Sequence, residues 1–415
     1  MQIVYSRCCG VDVHKNSVTA CVLVTEADGS RQVRVKQFDA HAAGLHRLLL
    51  WLYGCKVTHV AMESTGVYWK PVWNALEKHF QLILANPYQV KCIPTEKTDP
   101  GNAEWLADLL AHGLIRPSFV PPPEIRQWRD LTRHRVKLIQ DRTRVHNRIH
   151  KVLEDASIKL DMVASDILGA SGRAIIEGII AGEERPDWLA DKAQSTLRKK
   201  RNQLRLVLRG RVTEHHRWML RRLLEELKFL ENEISCLEQR LAVAMQTYEP
   251  LVSRLCTIPG VNVITAWTLL AELGPDMSVF ADAQHAASWA GLCPSNRESA
   301  GKQLSHSTRP GNRWIRRAMC QSAWAVSHKK DCYLTAFFYR KARAGVRQAT
   351  VATAHKILIV AFEILRQGTT YRELGGDHFD QLHPERARNR LTRRLERLGW
   401  DVALTPKPIP PAPEL

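Results

Sequence analysis

The sequence predicts a mixed α/β domain at the N-terminus and a longer, mainly α-helical part after it. Three observations carry this. Strand patterns alternate with short helical patterns up to about residue 112. A proline run, Pro121-Pro122-Pro123, then interrupts the chain. Beyond it the apolar residues recur mostly at helical spacing.

The elements follow in order. Cys8–Val13 reads as a strand, Val18–Thr25 is β-rich, and Gln32–Phe38 alternates, with a turn at Asp28-Gly29. Ala42–Leu52 has the helical spacing Leu45, Leu48, Leu49, Leu52. His59–Glu63 reads as a buried strand, Trp69–His79 as a helix, Gln81–Ala85 as a strand and Asn102–His112 as a helix. The order β-β-β-α-β-α-β-α is that of the RNase H-like fold. After the prolines a helix is expected from about Ile125 to Glu154, with a stripe of Leu131, Leu138, Val145, Ile149 and Val152. Residues 157–195 are poorly periodic. From Leu220 a strict three-four spacing runs through Leu223, Leu227, Leu230, Ile234, Leu237 and Leu241 to Ala244, close to four heptads. A coiled-coil arm is expected there, pairing antiparallel with the 125–154 helix; a hairpin within one chain or contact between copies would bury the same leucines. Ile258-Pro-Gly-Val261 resembles a helix-hairpin-helix turn, and equally a plain packing unit. Helices continue to about Gln367 around a loop at 291–312, and the tail 405–415 holds five prolines.

Composition sets limits. At about 150 residues per domain, 415 residues suggest two to three domains. A chain with 45% hydrophobic and 25% charged residues can bury a sizeable core, which excludes wholesale disorder. Apolar stretches such as Val261–Leu273 stop short of the roughly 18 residues of a membrane span. The start, MQIVYSRCCGVDVHK, lacks the layout of a signal peptide. A cytoplasmic protein with no membrane partner is expected. Ten cysteines without a CxxC pair or zinc-type spacing read as reduced core residues.

The net charge is +18, unevenly spread. Segments 126–151, 198–222, 302–330 and 386–397 hold 32 of the 60 Lys and Arg but only 4 of the 42 Asp and Glu. Basic segments in an otherwise acidic chain point to a polyanion, most often nucleic acid.

Two acids interrupt apolar strands: Asp12 in Gly-Val-Asp12-Val-His-Lys and Glu63 in Ala-Met-Glu63-Ser-Thr-Gly. In the expected sheet their strands are neighbours. Carboxylates brought together need a cation between them, and Mg²⁺ takes oxygen ligands. Two such ions about 4 Å apart can promote phosphodiester cleavage. Asp99 in Lys-Thr-Asp99-Pro-Gly-Asn102 precedes the last helix and shares a face with Asn102. Asp before Pro is also an ordinary helix cap; beside Asp12 and Glu63 it reads as a third ligand.

The segments GVDVHK, MESTGVYW, KTDPGNAEWLADLL, IPGV, AGLCPSNRESAGK and GNRWIRRAM resemble, in order over residues 8 to 330, the DEDD-type transposases of the insertion sequence 110 family. The resemblance implies a RuvC-like RNase H-fold domain (1–118), a basic helical and coiled-coil region (119–250), a helical transposase domain with a serine loop (251–372), then a basic helix and Pro-rich tail (373–415). It also implies metal ligands at Asp12, Glu63, Asp99 and position 102, where the family's fourth acid is here Asn102. An amide oxygen can bind a metal but brings no charge, so the second ion should bind more weakly.

The resemblance further implies a serine nucleophile at Ser299. Physical reading leaves Ser295, Ser305 and Ser307 equal to it. Lys302, Arg309, Arg313, Arg316 and Arg317 would balance a phosphate, and Arg133, Arg142 and Arg148 lie in the basic helix expected to follow a nucleic-acid backbone. A serine hydroxyl needs activation, for which the carboxylate-bound Mg²⁺ is the natural source. The expected function is a DNA transposase or recombinase acting on donor and target DNA, as a dimer or tetramer in the nucleoid-containing cytoplasm; the family resemblance also implies guidance by a structured RNA from the element. The rivals are a metal-dependent junction nuclease using water and a catalytically decayed nucleic-acid-binding copy.

Overall fold

The computed structural model describes residues 2–26, 28–64, 66–87, 90, 101–294, 307–308 and 310–405, and the backbone of 298–299 and 302–303. Asp99 and Arg309 lie outside the described residues. The chain forms two compact units, Met1–Pro121 and Pro122–Leu415.

The first unit is built on strands β1 (Arg7–Val13), β2 (Ser17–Thr25), β3 (Arg31–Asp39), β4 (His59–Glu63) and β5 (Gln81–Ala85), with helices α1 (Ala42–Gly54), α2 (Trp69–Leu76) and α3 (Asn102–Ala111). The sheet order is β3-β2-β1-β4-β5. The first three strands are antiparallel, while β4 runs parallel to β1 and β5 parallel to β4. This mixed sheet is compatible with an RNase H-like domain and sets the first and fourth strands side by side, as the sequence predicts.

Burial explains the two layers of helix. Leu45, Leu48 and Leu52 of α1 and Val72 and Leu76 of α2 pack on Val11, Val22, Val60 and Met62. On the opposite face, Ala103, Leu106, Ala107 and Leu110 of α3 pack on Cys8, Cys21 and Ala61. The small residues there let α3 sit close. A Cβ on Gly10 would lie 2.2 Å from the Ala103 carbonyl oxygen and 2.4 Å from the Ala107 nitrogen, so only glycine fits beneath this helix. Strand β3 exposes Val33 and Val35 but also carries Arg31, Arg34 and Lys36, charges that blunt a sheet edge.

The second unit opens with the long α4 (Pro123–Asp155), then α5 (Ala170–Ile180), α6 (Pro186–Asp191), α7 (Ser195–Arg198), α8 (Arg201–Val207) and the long α9 (Glu214–Ala244). Thr213 and His216 form a reciprocal cap at the start of α9. Helices α4 and α9 are antiparallel. Arg135 meets Glu238 at 2.6 Å, Arg148 meets Glu226 at 2.9 Å, and Asp155 meets His216 at 2.9 Å, in opposite chain order. The leucine stripe Leu220, Leu223, Leu227, Leu230 and Ile234 is buried with Val145, Ile149 and Leu153 of α4 and Ile175, Ile176 and Ile179 of α5. The stripe is thus covered within the chain. The poorly periodic stretch around 157–195 supplies short helices that form a further side of that core.

The remainder comprises α10 (Glu249–Cys256), α11 (Val263–Leu273), α12 (Ala283–Trp289), the two-residue strands β6 (Glu298–Ser299) and β7 (Lys302–Gln303), α13 (Arg313–Val326), α14 (Tyr333–Ala342), α15 (Val346–Gln367), α16 (His378–Leu382) and α17 (Pro384–Arg397). Leu269, Leu270, Ile315, Met319, Ile357 and Phe362 share its core. The Pro-Gly turn joins α10 to α11. Gly260 has φ +84°, and a Cβ there would lie 2.5 Å from the Ser322 carbonyl oxygen, so packing on α13 alone requires the glycine. Helix α15 is long and apolar enough to cross a membrane by length and composition, but half of that stretch is buried in the protein core. The sequence reading missed it because His355 and Lys356 break its apolar run.

Candidate active site

The acid site grows out of the parallel pairing of β1 and β4. Their register sets Val11 beside Met62, so Asp12 and Glu63 occupy the next positions of adjacent strands. Val11 and Met62 face α1 and α2; alternation turns Asp12 and Glu63 towards the α3 face. Gly10, two residues before Asp12 on that same face, lets the first turn of α3 come down. Asn102, the first residue of α3, consequently donates its amide to Asp12 Oδ2 at 3.4 Å. His14 Nε2 lies 3.2 Å from the same oxygen. Asp12 keeps 22% of its side chain exposed. This contact was not read from the sequence, because His14 follows the end of β1.

Asp12 and Glu63 near the ends of two interior strands, with Asn102, offer oxygen donors, the chemistry a hard cation such as Mg²⁺ takes. Asn102 can turn its amide to present oxygen, without adding charge. Asp108 does not join: it pairs with Arg31 of β3 at 3.1 Å. A separate group, His150, Glu154 and Asp161, clusters in the second unit. Lys159 pairs with Glu154 and His150 with Asp161, which makes it an ion-pair network with its own cation.

In the second unit Ser299 pairs with Lys302 and Glu298 with Gln303. This hairpin belongs to a loop closed at its neck. Pro294 bridges to Thr308, and the Asn312 N–H donates to the Trp289 carbonyl at 3.0 Å. A Cβ on Gly311 would stand 2.3 Å from the Gly291 nitrogen. Asn312 also caps α13, accepting from the N–H of Trp314 at 3.0 Å and of Ile315 at 3.3 Å.

Asn312 in turn donates to Glu272 Oε2 at 2.6 Å. Glu272 is wholly buried, an expensive place for a charge unless it is paired. Arg133 supplies the pairing with two bonds of 2.8 Å, from Nε to Oε1 and Nη2 to Oε2. Arg129 adds a bond of 2.5 Å from Nη2 to the Glu272 carbonyl oxygen. Burial pulls Arg129 down to about 10 from an ordinary 12.5. Sequence reasoning missed Glu272; its signal was a lone carboxylate in the apolar run Val-Ile-Thr-Ala-Trp-Thr-Leu-Leu-Ala-Glu272-Leu.

The expected nucleic-acid residues are placed unequally. Arg133 faces inward, its fork on Glu272 and its plane over Trp314 at 5.7 Å. Arg148 is exposed beside Glu226, and Arg142 is half-buried. Arg313 begins α13, exposed and over Trp314 at 4.7 Å, with Arg316 and Arg317 one turn on.

A transposase family model of the DEDD, IS110 type matches residues 9–158, which include the acid site. A second, described as transposase, IS116/IS110/IS902 family, matches residues 252–340, from α10 through most of α14. The chain belongs to the IS110 family of transposases. This transposase is 37% identical over 142 residues to an insertion element IS110 protein of Streptomyces coelicolor, spanning 32% of this chain and 35% of that one. It is 23% identical over 385 residues to the pilin gene-inverting protein of Moraxella lacunata, covering 87% of this chain and 96% of the relative. It is 24% identical over 382 residues to the transposase for insertion sequence element IS1328 of Yersinia enterocolitica, covering 87% and 97%.

Proposed function

We propose that the protein cuts and rejoins DNA through an Mg²⁺-dependent acid site and the hydroxyl of Ser299, directed by an element-encoded RNA. The observation that carries this reading is the convergence of Asp12, Glu63 and Asn102 on one face of the sheet, in a chain whose relatives are named for transposition and gene inversion. Asp12, Glu63, Asp99 and Asn102 would hold the metal, which when bound supplies Lewis acidity and a lowered pKa for an attacking hydroxyl.

The chain's own groups carry the rest. Ser299 Oγ forms an ester with the phosphate while the bond to the sugar oxygen breaks, and the serine proton ends on that departing oxygen. A sugar hydroxyl from the partner strand then displaces the serine, so each bond broken is replaced. Lys302, Arg309, Arg313, Arg316 and Arg317 balance the phosphate charge. Arg142 and Arg148 suit the backbone of the RNA, a contact that is strongly salt-dependent. Two or more copies would work together in the cytoplasm, where the DNA lies.

A second reading rests on Asn102. An amide donating to Asp12 adds no negative charge, which suits a copy that binds nucleic acid without cutting it. One assay separates the possibilities. The protein is incubated with Mg²⁺, the element's RNA and its DNA, then denatured. A protein–DNA adduct that disappears in Ser299→Ala supports the proposal. Cut ends without an adduct indicate water as nucleophile. Cutting that occurs only in Asn102→Asp indicates a decayed copy.

A further inference from the structure

We propose that a cleft between α14 and the α16–α17 pair grips an unpaired nucleic-acid strand, with its backbone on arginines and a base on Tyr339. The cleft encloses about 420 Å³ and is lined by Tyr339, Arg340, Arg343, Phe379, Arg386 and Arg390. It is carried largely by residues beyond position 340, where the family match ends. Its lining shares no residue with the acid site or the serine loop.

Charge selects the class of ligand. The one carboxylate in the lining, Asp380, has both oxygens taken by Arg390, at 2.9 and 2.8 Å. Arg340, Arg343 and Arg386 are exposed and have no acidic partner among the described residues. Three guanidinium groups at one opening demand an anion with several negative oxygens.

Aromatic surface narrows the class further. Tyr339 is 58% exposed at the rim, its ring meeting Phe338 edge-on at 5.6 Å. Phe379 forms the floor, stacked on Tyr333 at 5.4 Å and 26° and overlaid by Arg340 at 4.9 Å. A free phosphate gains nothing from an exposed ring; a base does, because every base has a face to stack. A duplex keeps its base faces covered by stacking. The ligand that uses both features is a strand with unpaired bases. Guanidinium groups and ring faces do not read the sugar, so DNA and RNA strands should enter alike.

The test is photo-crosslinking on the full chain. Probes of about 12 nucleotides carry 5-iodouracil as single-stranded DNA, single-stranded RNA or duplex DNA, and crosslinked peptides are mapped by mass spectrometry. Both single strands should crosslink at Tyr339 or Phe379, and the duplex should not. Tyr339→Ala should lower the yield there about fivefold or more. Arg340→Glu with Arg386→Glu should abolish it, while Arg340→Lys with Arg386→Lys, on the same exposed positions, should retain most of it. Absence of crosslinks in 333–343 and 376–390 overturns the proposal, as does crosslinking of the duplex to the same extent. Crosslinking of only one sugar type overturns the claim that the cleft reads phosphates and base faces alone.

Discussion

At Asp12 a single oxygen receives both the Asn102 amide and the His14 ring. Replacing the amide by a carboxylate sets two negative groups against each other unless a cation lies between them. Asn102→Asp should therefore destabilise the protein in EDTA by about 1 kcal/mol, on the order of 4 °C in melting temperature, and Mg²⁺ should restore it more than it stabilises the parent; thermal melts with and without metal check this. Asp12→Asn should abolish metal-dependent cleavage and leave RNA affinity nearly unchanged, read by gel shift. Cysteine chemistry offers a second check at this scale. Burial pushes the Cys8 and Cys21 thiols up to about 12, so neither is a thiolate at pH 8, whereas Cys236 is exposed. Brief native treatment with iodoacetamide should label Cys236 and spare Cys8 and Cys21 in peptide maps. The placement of Asp12 and Glu63 on neighbouring strands was legible because charges inside apolar strands are rare. The hydrogen-bond partners were not, because His14 and Asn102 reach Asp12 only through the strand pleat and the descent of α3.

Between elements, glycine and one buried carboxylate fix the geometry. Gly10→Ala should force α3 away from β1, costing about 1–3 kcal/mol and removing cleavage together with stability in denaturant melts. Glu272→Ala leaves Arg133 and Arg129 without their charge partner and Asn312 without its acceptor. The loss should be about 3 kcal/mol or more, measured by urea unfolding, and any serine adduct should fall with it. Strand β2 was readable from its β-rich composition, β3 from its alternation, and α9 from its heptads. The layer α5–α8 was not, since its helices are short and take their apolar faces from contact with α9 rather than from a regular period of their own. The neck of the serine loop was equally hidden: Gly291, Gly311 and Asn312 are ordinary loop residues until the chain brings them together.

Across the whole molecule the basic segments divide into charges that face outward and charges used inside. Arg142→Glu with Arg148→Glu should lower the magnitude of the salt slope of RNA binding by about 1–2 with only a small fall in melting temperature, since the Arg148–Glu226 pair is exposed. Arg133→Glu should do the reverse, lowering stability and barely moving the slope. Fluorescence anisotropy over a salt series and a melt of each variant check both. Counting charges along the sequence locates the four basic segments but treats these arginines as equivalent, since it carries no sign of which guanidinium meets a buried carboxylate.

The tie from Arg129 and Arg133 through Glu272 to Asn312 has a mechanical consequence. Helix α4 is a rod of 33 residues, about 50 Å long at the usual helical rise, and the mount of the serine hairpin is bolted to it near one end. A tug on the distal basic stretch is delivered to that mount, because no soft joint intervenes along the helix. Under the proposed function, nucleic acid held along this helix and the position of Ser299 would be geared to one another through that tie.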